Sequence, residues 1–261
     1  MLRLESITKT FEYRSGGRRH LLRAVDDVSL QLLPGEVHGI VGESGSGKST
    51  LARVATRLYR PDQGHIWWND RDITHLSEGE LRPLRGFIQM VFQDPFSSLN
   101  PRMRVGAILQ EPLIVHRRGS AAEQKSACAA MLERVGLEPA DAVKYPHQFS
   151  GGQRQRICIA RALMLRPQIV VADEAVSALD VSIQAQILAL MQELKRDFGL
   201  SYLFITHDLE VVRLIADRIT VMQNGRVVES GSVTDIFQNP QQDYTRTLLT
   251  SRPSAIGERH E

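Results

Sequence analysis

The chain has 261 residues, 42% of them hydrophobic and 24% charged, a globular balance with enough apolar mass for a sizeable core. A formal net charge of +2 is too mild to argue for nucleic acid, and no run approaches the ~18–20 consecutive apolar residues of a membrane span. The first residues lack the apolar core of a signal peptide, and Cys128 and Cys158, the two cysteines, make neither a disulfide framework nor a zinc site.

In chain order, residues 1–33 read as strands, because residues 2–7 and 28–32 alternate apolar and polar with period two. Between them a Gly- and Arg-rich stretch carries Arg14, Arg18, Arg19, His20 and Arg23, which reads as a solvated loop. Phe11 and Tyr13 precede it, and each ring suits either an adenine face or packing against the sheet. The apolar run Val37–Val41 predicts a short buried strand, which breaks into Gly42-Glu43-Ser44-Gly45-Ser46-Gly47-Lys48-Ser49, a G-x-x-x-x-G-K-[ST] phosphate loop. Glycines let such a loop turn its N–H groups toward phosphate oxygens, and the following helix adds the partial positive charge of its N-terminus. Lys48 can then reach the β- and γ-phosphates, and the Ser49 hydroxyl suits Mg²⁺. Thr50 opens the helix, whose apolar face Leu51, Val54, Ala55 and Leu58 define.

A turn at Pro61-Asp62-Gln63-Gly64 leads to a strand over residues 65–69, and a buried strand over 88–92 ends in Gln93. The character then changes. Pro95, Pro101 and Pro112 punctuate short segments, and a helix over residues 121–135, stopped by Gly136, carries Cys128 on an apolar stripe with Met131, Leu132 and Val135. Residues 94–156 therefore read as a helical insertion in an α/β core. Ser150 and Gln153 have capping-box spacing, so a helix begins there, with Gly151 and Gly152 leaving bare N–H donors. Strand-type runs return at 169–172, 202–205 and 219–222, with helices between them, one of which starts after Asp180 and ends at Gly199. Such alternation implies a mostly parallel sheet covered on both faces. The run at 169–172 delivers Asp173 and Glu174 to its C-terminal edge, where the phosphate loop also opens; Asp173 suits Mg²⁺ and Glu174 suits polarising a water.

Taken together, these motifs resemble the nucleotide-binding subunit of ATP-binding cassette (ABC) transporters over nearly the whole chain. Residues 42–49 look like Walker A, Gln93 the Q-loop and Phe149-Ser150-Gly151-Gly152-Gln153 the signature. Asp173-Glu174 looks like Walker B with its catalytic acid, Ser177-Ala178-Leu179-Asp180 the D-loop, and His207 in Ile205-Thr206-His207-Asp208 the switch histidine. The resemblance implies two cassettes facing head to tail around two ATP molecules with Mg²⁺. Ser150, Gly151 and Gly152 of one chain would then meet the phosphate held by Lys48 of the other. It further implies Glu174 as base, Gln93 as sensor of Mg²⁺ and γ-phosphate, and His207 as a γ-phosphate contact. Ala175 stands where the family often has Pro, with the acids unchanged.

The segment Gln93-Asp94-Pro95-Phe96-Ser97-Ser98-Leu99-Asn100-Pro101-Arg102 and the tail from Asn239 are similar to oligopeptide, dipeptide and nickel importer ATPases. The run Asp173-Glu174-Ala175-Val176-Ser177 resembles nickel-type members, a resemblance that implies metal or metal-chelate import. The resemblance implies an α/β P-loop NTPase fold with an N-terminal antiparallel β subdomain and an inserted helical subdomain. One nucleotide-binding domain is expected over 1–250, with its core at 1–93 and 157–231, its insertion at 94–156 and a tail at 232–261, polar and frayed after Pro253. Expected partners are a second ATPase subunit, like or unlike, two integral membrane permease subunits and, indirectly, an extracytoplasmic solute-binding protein, with no nucleic acid. The expected location is the cytoplasmic face of the inner membrane. The main alternative is a cassette of a soluble complex such as carbon–phosphorus lyase, which transports nothing.

Overall fold

A computed structural model describes residues 1–250. Strands β1 (Leu2–Ser15), β2 (Arg18–Leu32) and β3 (Val37–Val41) lead into helix α1 (Lys48–Ala55). Strands β4 (Gln63–Trp68) and β5 (Arg71–Asp72), helix α2 (Glu78–Leu84) and strand β6 (Ile88–Val91) follow. Four helices come next: α3 (Pro95–Ser98), α4 (Val105–Val115), α5 (Ala121–Arg134) and α6 (Gly151–Leu163). Then β7 (Ile169–Asp173), α7 (Val181–Phe198), β8 (Ser201–Ile205), α8 (Leu209–Ile215) and β9 (Arg218–Gln223) alternate, before β10 (Arg226–Ser232), α9 (Val233–Gln238) and α10 (Asp243–Thr250).

Two sheets organise these elements. A four-stranded antiparallel sheet runs β2-β1-β4-β5, and a six-stranded sheet runs β10-β9-β3-β8-β7-β6. Within the larger one, β6, β7, β8, β3 and β9 are parallel, and only β10 is antiparallel to its neighbour. Every residue of β3, β7 and β8 is buried, which explains why these strands read as unbroken apolar runs. Their side chains still alternate between two cores. Val170, Ala172, Tyr202 and Phe204 face the helices α4–α7, whereas Ile169, Val171, Leu203 and Ile205 face α1 and the antiparallel sheet. The parallel sheet is thus the wall between two cores, and its C-terminal edge is fixed from both sides.

The structure departs from expectation in three places. Arg14, Arg18, Arg19, His20 and Arg23 lie on strands rather than in a loop. Only Gly16 and Gly17, both at positive φ, form the turn, and the ladder runs on through Tyr13–His20 and Arg14–Arg19. Helix α1 ends before Leu58, which is 46% exposed. Arg57, at positive φ, turns inward there and donates from Nε to the Ile73 carbonyl at 2.9 Å and from Nη2 to that of Leu76 at 3.2 Å, which breaks the helix. Finally, α2, α9, α10 and β10 have no counterpart in the sequence pattern, whereas α8 lies where a helix is expected between β8 and β9. Cys128 and Cys158 are both buried and free, and Gly136 ends α5 at φ +72°. The polar stretch after Pro253 lies outside the described residues.

Gly39 shows how tightly β3 is held. A Cβ there would sit 2.6 Å from Val212 Cγ1 on α8. Gly39→Ala is expected to cost about 1–3 kcal/mol of stability through overpacking, measured by urea unfolding with the slope unchanged. A loss below about 0.5 kcal/mol would show that α8 does not press on β3 in solution.

Candidate nucleotide site

The loop between β3 and α1 is built by close backbone approach. Gly42 and Gly47 adopt φ +151° and +102°, and a Cβ on either would collide with a carbonyl, that of Met222 or that of Ala24 respectively. No other residue fits either position. The loop is tied from behind as well, because Gly225 N–H donates to Ser46 O at 3.0 Å and Ser46 N–H to Glu43 O at 3.1 Å. Lys48, 4% exposed, folds its Nζ back over the loop and donates to Gly42 O and Glu43 O, each at 2.7 Å, and to Ser46 Oγ at 3.3 Å. Burial lowers the pKa of this ammonium, opposed by the nearby charges of Glu174, Asp173 and Glu43.

Strand β7 ends in Asp173, whose Oδ1 accepts from Ser49 Oγ at 2.8 Å. Asp173 is 2% exposed, and burial raises its pKa despite that bond. Glu174 follows in the left-handed region, at φ +49°. That conformation costs roughly 1–3 kcal/mol for a side-chain-bearing residue, and the surroundings enforce it. Its N–H donates to Ile205 O at 2.8 Å, and its carbonyl accepts from Ser177 N–H at 3.1 Å and Ser177 Oγ at 2.9 Å. The Glu174 side chain is thereby aimed between two neighbours: Oε2 accepts from Gln93 Nε2 at 2.9 Å and lies 3.4 Å from His207 Nδ1.

These groups meet at a cleft of about 610 Å³ lined by Ser44, Gly45, Gly47, Lys48, Ser49, Thr50, Gln93 and Glu174. Asp173 instead lines an adjoining hollow with Gln93, and His207 lines a narrow gap with Gly42. Glu43 does not line the cleft; its N–H is taken by Tyr244 Oη at 3.3 Å. Phe11 packs edge-on against Tyr59, with centroids 5.4 Å apart, but pairs across the hairpin with Leu22, which does line the cleft. Tyr13 stacks on His20 at 5.3 Å.

Ser150, Gly151, Gly152 and Gln153 form a closed capping box at the start of α6 and are not among the residues lining the cleft of their own chain. Gly152 matters for packing too, since a Cβ there would sit 2.6 Å from Ile183 Cγ2 on α7. Asp180 caps α7, accepting from Ile183 N–H at 3.0 Å.

Five cleft residues escaped the sequence reading: Leu22, Arg23, Ala24, Asn224 and Gly225. The last two carried a signal, since Asn-Gly between two strand-like runs marks a two-residue hairpin turn. The structure places that turn, with both residues at positive φ, against the phosphate loop.

Among the described residues no group of three or more His, Cys, Asp or Glu could hold a metal alone. Ser49 and Asp173 offer two adjacent hard oxygens, a set that fits Mg²⁺ arriving with phosphate oxygens as its remaining ligands. Among the described residues, no helix is long and apolar enough to cross a membrane.

Comparison with known proteins agrees with this geometry. A family model described as ABC transporter matches residues 25–177. Over 257 residues the chain is 51% identical to the oligopeptide transport ATP-binding protein AppF of Bacillus subtilis, covering 97% of this chain and 78% of that relative. It is 49% identical over 263 residues to the glutathione import ATP-binding protein GsiA of Salmonella typhimurium, and spans 42% of that relative's length. Among solved structures, the ATP-binding cassette MJ0796 in a dimeric post-hydrolysis state with ADP and Pi aligns with a TM-score of 0.79 at 33% identity. That alignment covers 89% of this chain and 99% of the other.

Asp173 yields a stability test. A raised pKa means that the folded chain holds the proton more tightly than the unfolded one. Stability therefore falls as pH climbs from the usual carboxylate range through the raised value, and stays reduced above it. Asp173→Asn removes that penalty and keeps an acceptor for Ser49. The nucleotide-free chain is expected to gain thermal stability at neutral pH, at about 2–4 °C per kcal/mol recovered, with the gain vanishing in acid. Scanning calorimetry at both pH values checks it; an unchanged or lower neutral midpoint would refute the burial penalty.

Proposed function

The chain belongs to the ABC transporter family of ATP-binding subunits, and on that premise we propose that it hydrolyses ATP to drive solute import through separate membrane subunits. The observation that carries the reading is the Glu174 carboxylate, held between Gln93 and His207 beside the loop that bears Lys48 and Ser49.

In this reading the phosphates of ATP lie against the N–H groups of residues 44–50, and Lys48 keeps the Gly42 carbonyl while exchanging its other loop acceptors for phosphate oxygens. The adenine ring takes the face of the hairpin that carries Phe11 and Leu22. Glu174 accepts a proton from water as the water oxygen bonds to the γ-phosphorus and the bond to the bridging oxygen of ADP breaks. Gln93 and His207 hold Glu174 and the attacking water in line, which supplies positioning, while Lys48 stabilises the charge on the phosphoryl group. Ser49 and Asp173, with Gln93 nearby, would hold Mg²⁺, which would supply neutralisation of phosphate charge.

The signature lies outside the chain's own cleft, which supports a head-to-tail pair in which Ser150, Gly151, Gly152 and Gln153 complete the cleft of a second cassette, with Asp180 at the shared face. Hydrolysis then depends on closure of the pair. The cassette sits on the cytoplasmic face of the membrane, bound to two permease subunits and served indirectly by a solute-binding protein. Both relatives' names specify peptides, glutathione being a tripeptide, so the solute class proposed is short peptides; neither name carries nickel.

Two measurements test this. Glu174→Gln is expected to lower ATP hydrolysis by about 10²-fold or more, the usual worth of a general base, with ATP affinity retained. Affinity purification from detergent-solubilised membranes is expected to recover two membrane subunits and a second cassette. Unchanged hydrolysis in the variant would remove Glu174 as base, and recovery of soluble enzyme subunits alone would replace transport with a soluble-complex role.

A further inference from the structure

Helix α10, the last element among the described residues, reaches the phosphate loop at Glu43, which does not line the cleft. Tyr244 on α10 accepts, through its hydroxyl, the N–H of Glu43 at 3.3 Å, across about two hundred residues of chain. That N–H belongs to the peptide unit joining Gly42 and Glu43, whose carbonyl accepts from Lys48 Nζ at 2.7 Å. In a trans peptide the N–H and C=O point in opposite directions from one rigid plane. Tyr244 and Lys48 therefore hold the same plane by its two ends, one from outside the loop and one from within.

The helix itself is firmly placed. Glu229 on β10 accepts from the N–H groups of Gln241 at 2.7 Å and Gln242 at 3.2 Å, just before α10 begins, and these bonds keep its carboxyl ionised below the usual range despite partial burial. Thr245 is fully buried. Leu248 and Leu249 pack on the main core and, with Gly42, His207 and Leu209, enclose a gap of about 70 Å³. One short helix thus touches both the loop that carries Lys48 and the segment that carries His207.

We propose that Tyr244 is a positioning residue for the nucleotide site: its hydroxyl fixes the Gly42–Glu43 peptide so that Lys48 is aimed correctly when phosphates arrive. This inference rests on the nucleotide-binding reading above. It assigns the tail a part in nucleotide binding rather than only in covering the sheet edge.

The test uses the purified full chain and Tyr244→Phe, which keeps the ring and removes the hydroxyl. The Kd for ADP with Mg²⁺ is expected to rise about 2- to 10-fold, the range of one neutral hydrogen bond, with KM for ATP rising similarly and kcat changing less. The nucleotide-free thermal midpoint is expected to hold within about 2 °C, and amide exchange to quicken over residues 42–48 but not over β10 or α10. Tyr244→Leu is expected to show the same weakening together with a lower midpoint. A wild-type Kd in Tyr244→Phe would overturn the proposal, as would a fall in midpoint with exchange loosened throughout α10, the sign of lost packing alone. Failure of the wild-type chain itself to bind ADP would instead remove the nucleotide reading beneath it.

Discussion

Everything at the site depends on burying one ammonium beside two carboxylates at the end of a parallel sheet. Lys48 and Asp173 are both almost wholly out of solvent, and isolated charges so placed cost several kcal/mol each. The fold offsets that cost locally. Three loop oxygens receive Lys48 Nζ, and Ser49 donates to Asp173. Burial still shifts their pKa values in the directions of weaker charge, Lys48 down and Asp173 up. An anion for Lys48 and a cation for Asp173 would complete both, which is the chemical description of a magnesium nucleotide.

Such a site needs a rigid frame, and the two-core arrangement provides it. Strands β3, β7 and β8 present alternate side chains to different cores, so a shift of any one strand would disturb packing on both faces. The loop is braced in the same spirit. Its glycines rest on the carbonyls of Ala24 and Met222, and the Asn224-Gly225 turn bonds to Ser46. Glu174 shows where the frame stores strain: its left-handed backbone is kept by Ile205 and Ser177.

Much of this was legible in the sequence because local rules and global fold agree there. Val37–Val41 and residues 169–172 are apolar runs bounded by chemistry-bearing turns, and the capping spacing of Ser150 and Gln153 names the helix start. What was not legible depended on distant contacts. Arg57 stops α1 by reaching carbonyls in another loop, which no helical periodicity encodes. Leu22, Arg23 and Ala24 line the cleft only because a long hairpin folds over the phosphate loop. Tyr244 lies about two hundred residues from Glu43 and sits in a tail whose polar composition carries no sign of a contact. The positively charged hairpin failed differently: two glycines made a tight turn where charge density suggested a loop.

In the proposed pair the helix that opens at Ser150 and the Glu174 carboxylate of one chain would serve different clefts, yet within the chain a series of contacts links them. From Glu174 the chain runs through Ser177, bonded back to the Glu174 carbonyl, and Gln184, bonded to Val176 O at 3.0 Å. Asp180 caps α7 within that stretch, and Ile183 then sits directly over Gly152, where only a missing Cβ leaves room. Gly152 thus has two physical reasons to be glycine: a bare N–H donor in the first turn of α6, and a contact with α7 too close for a Cβ.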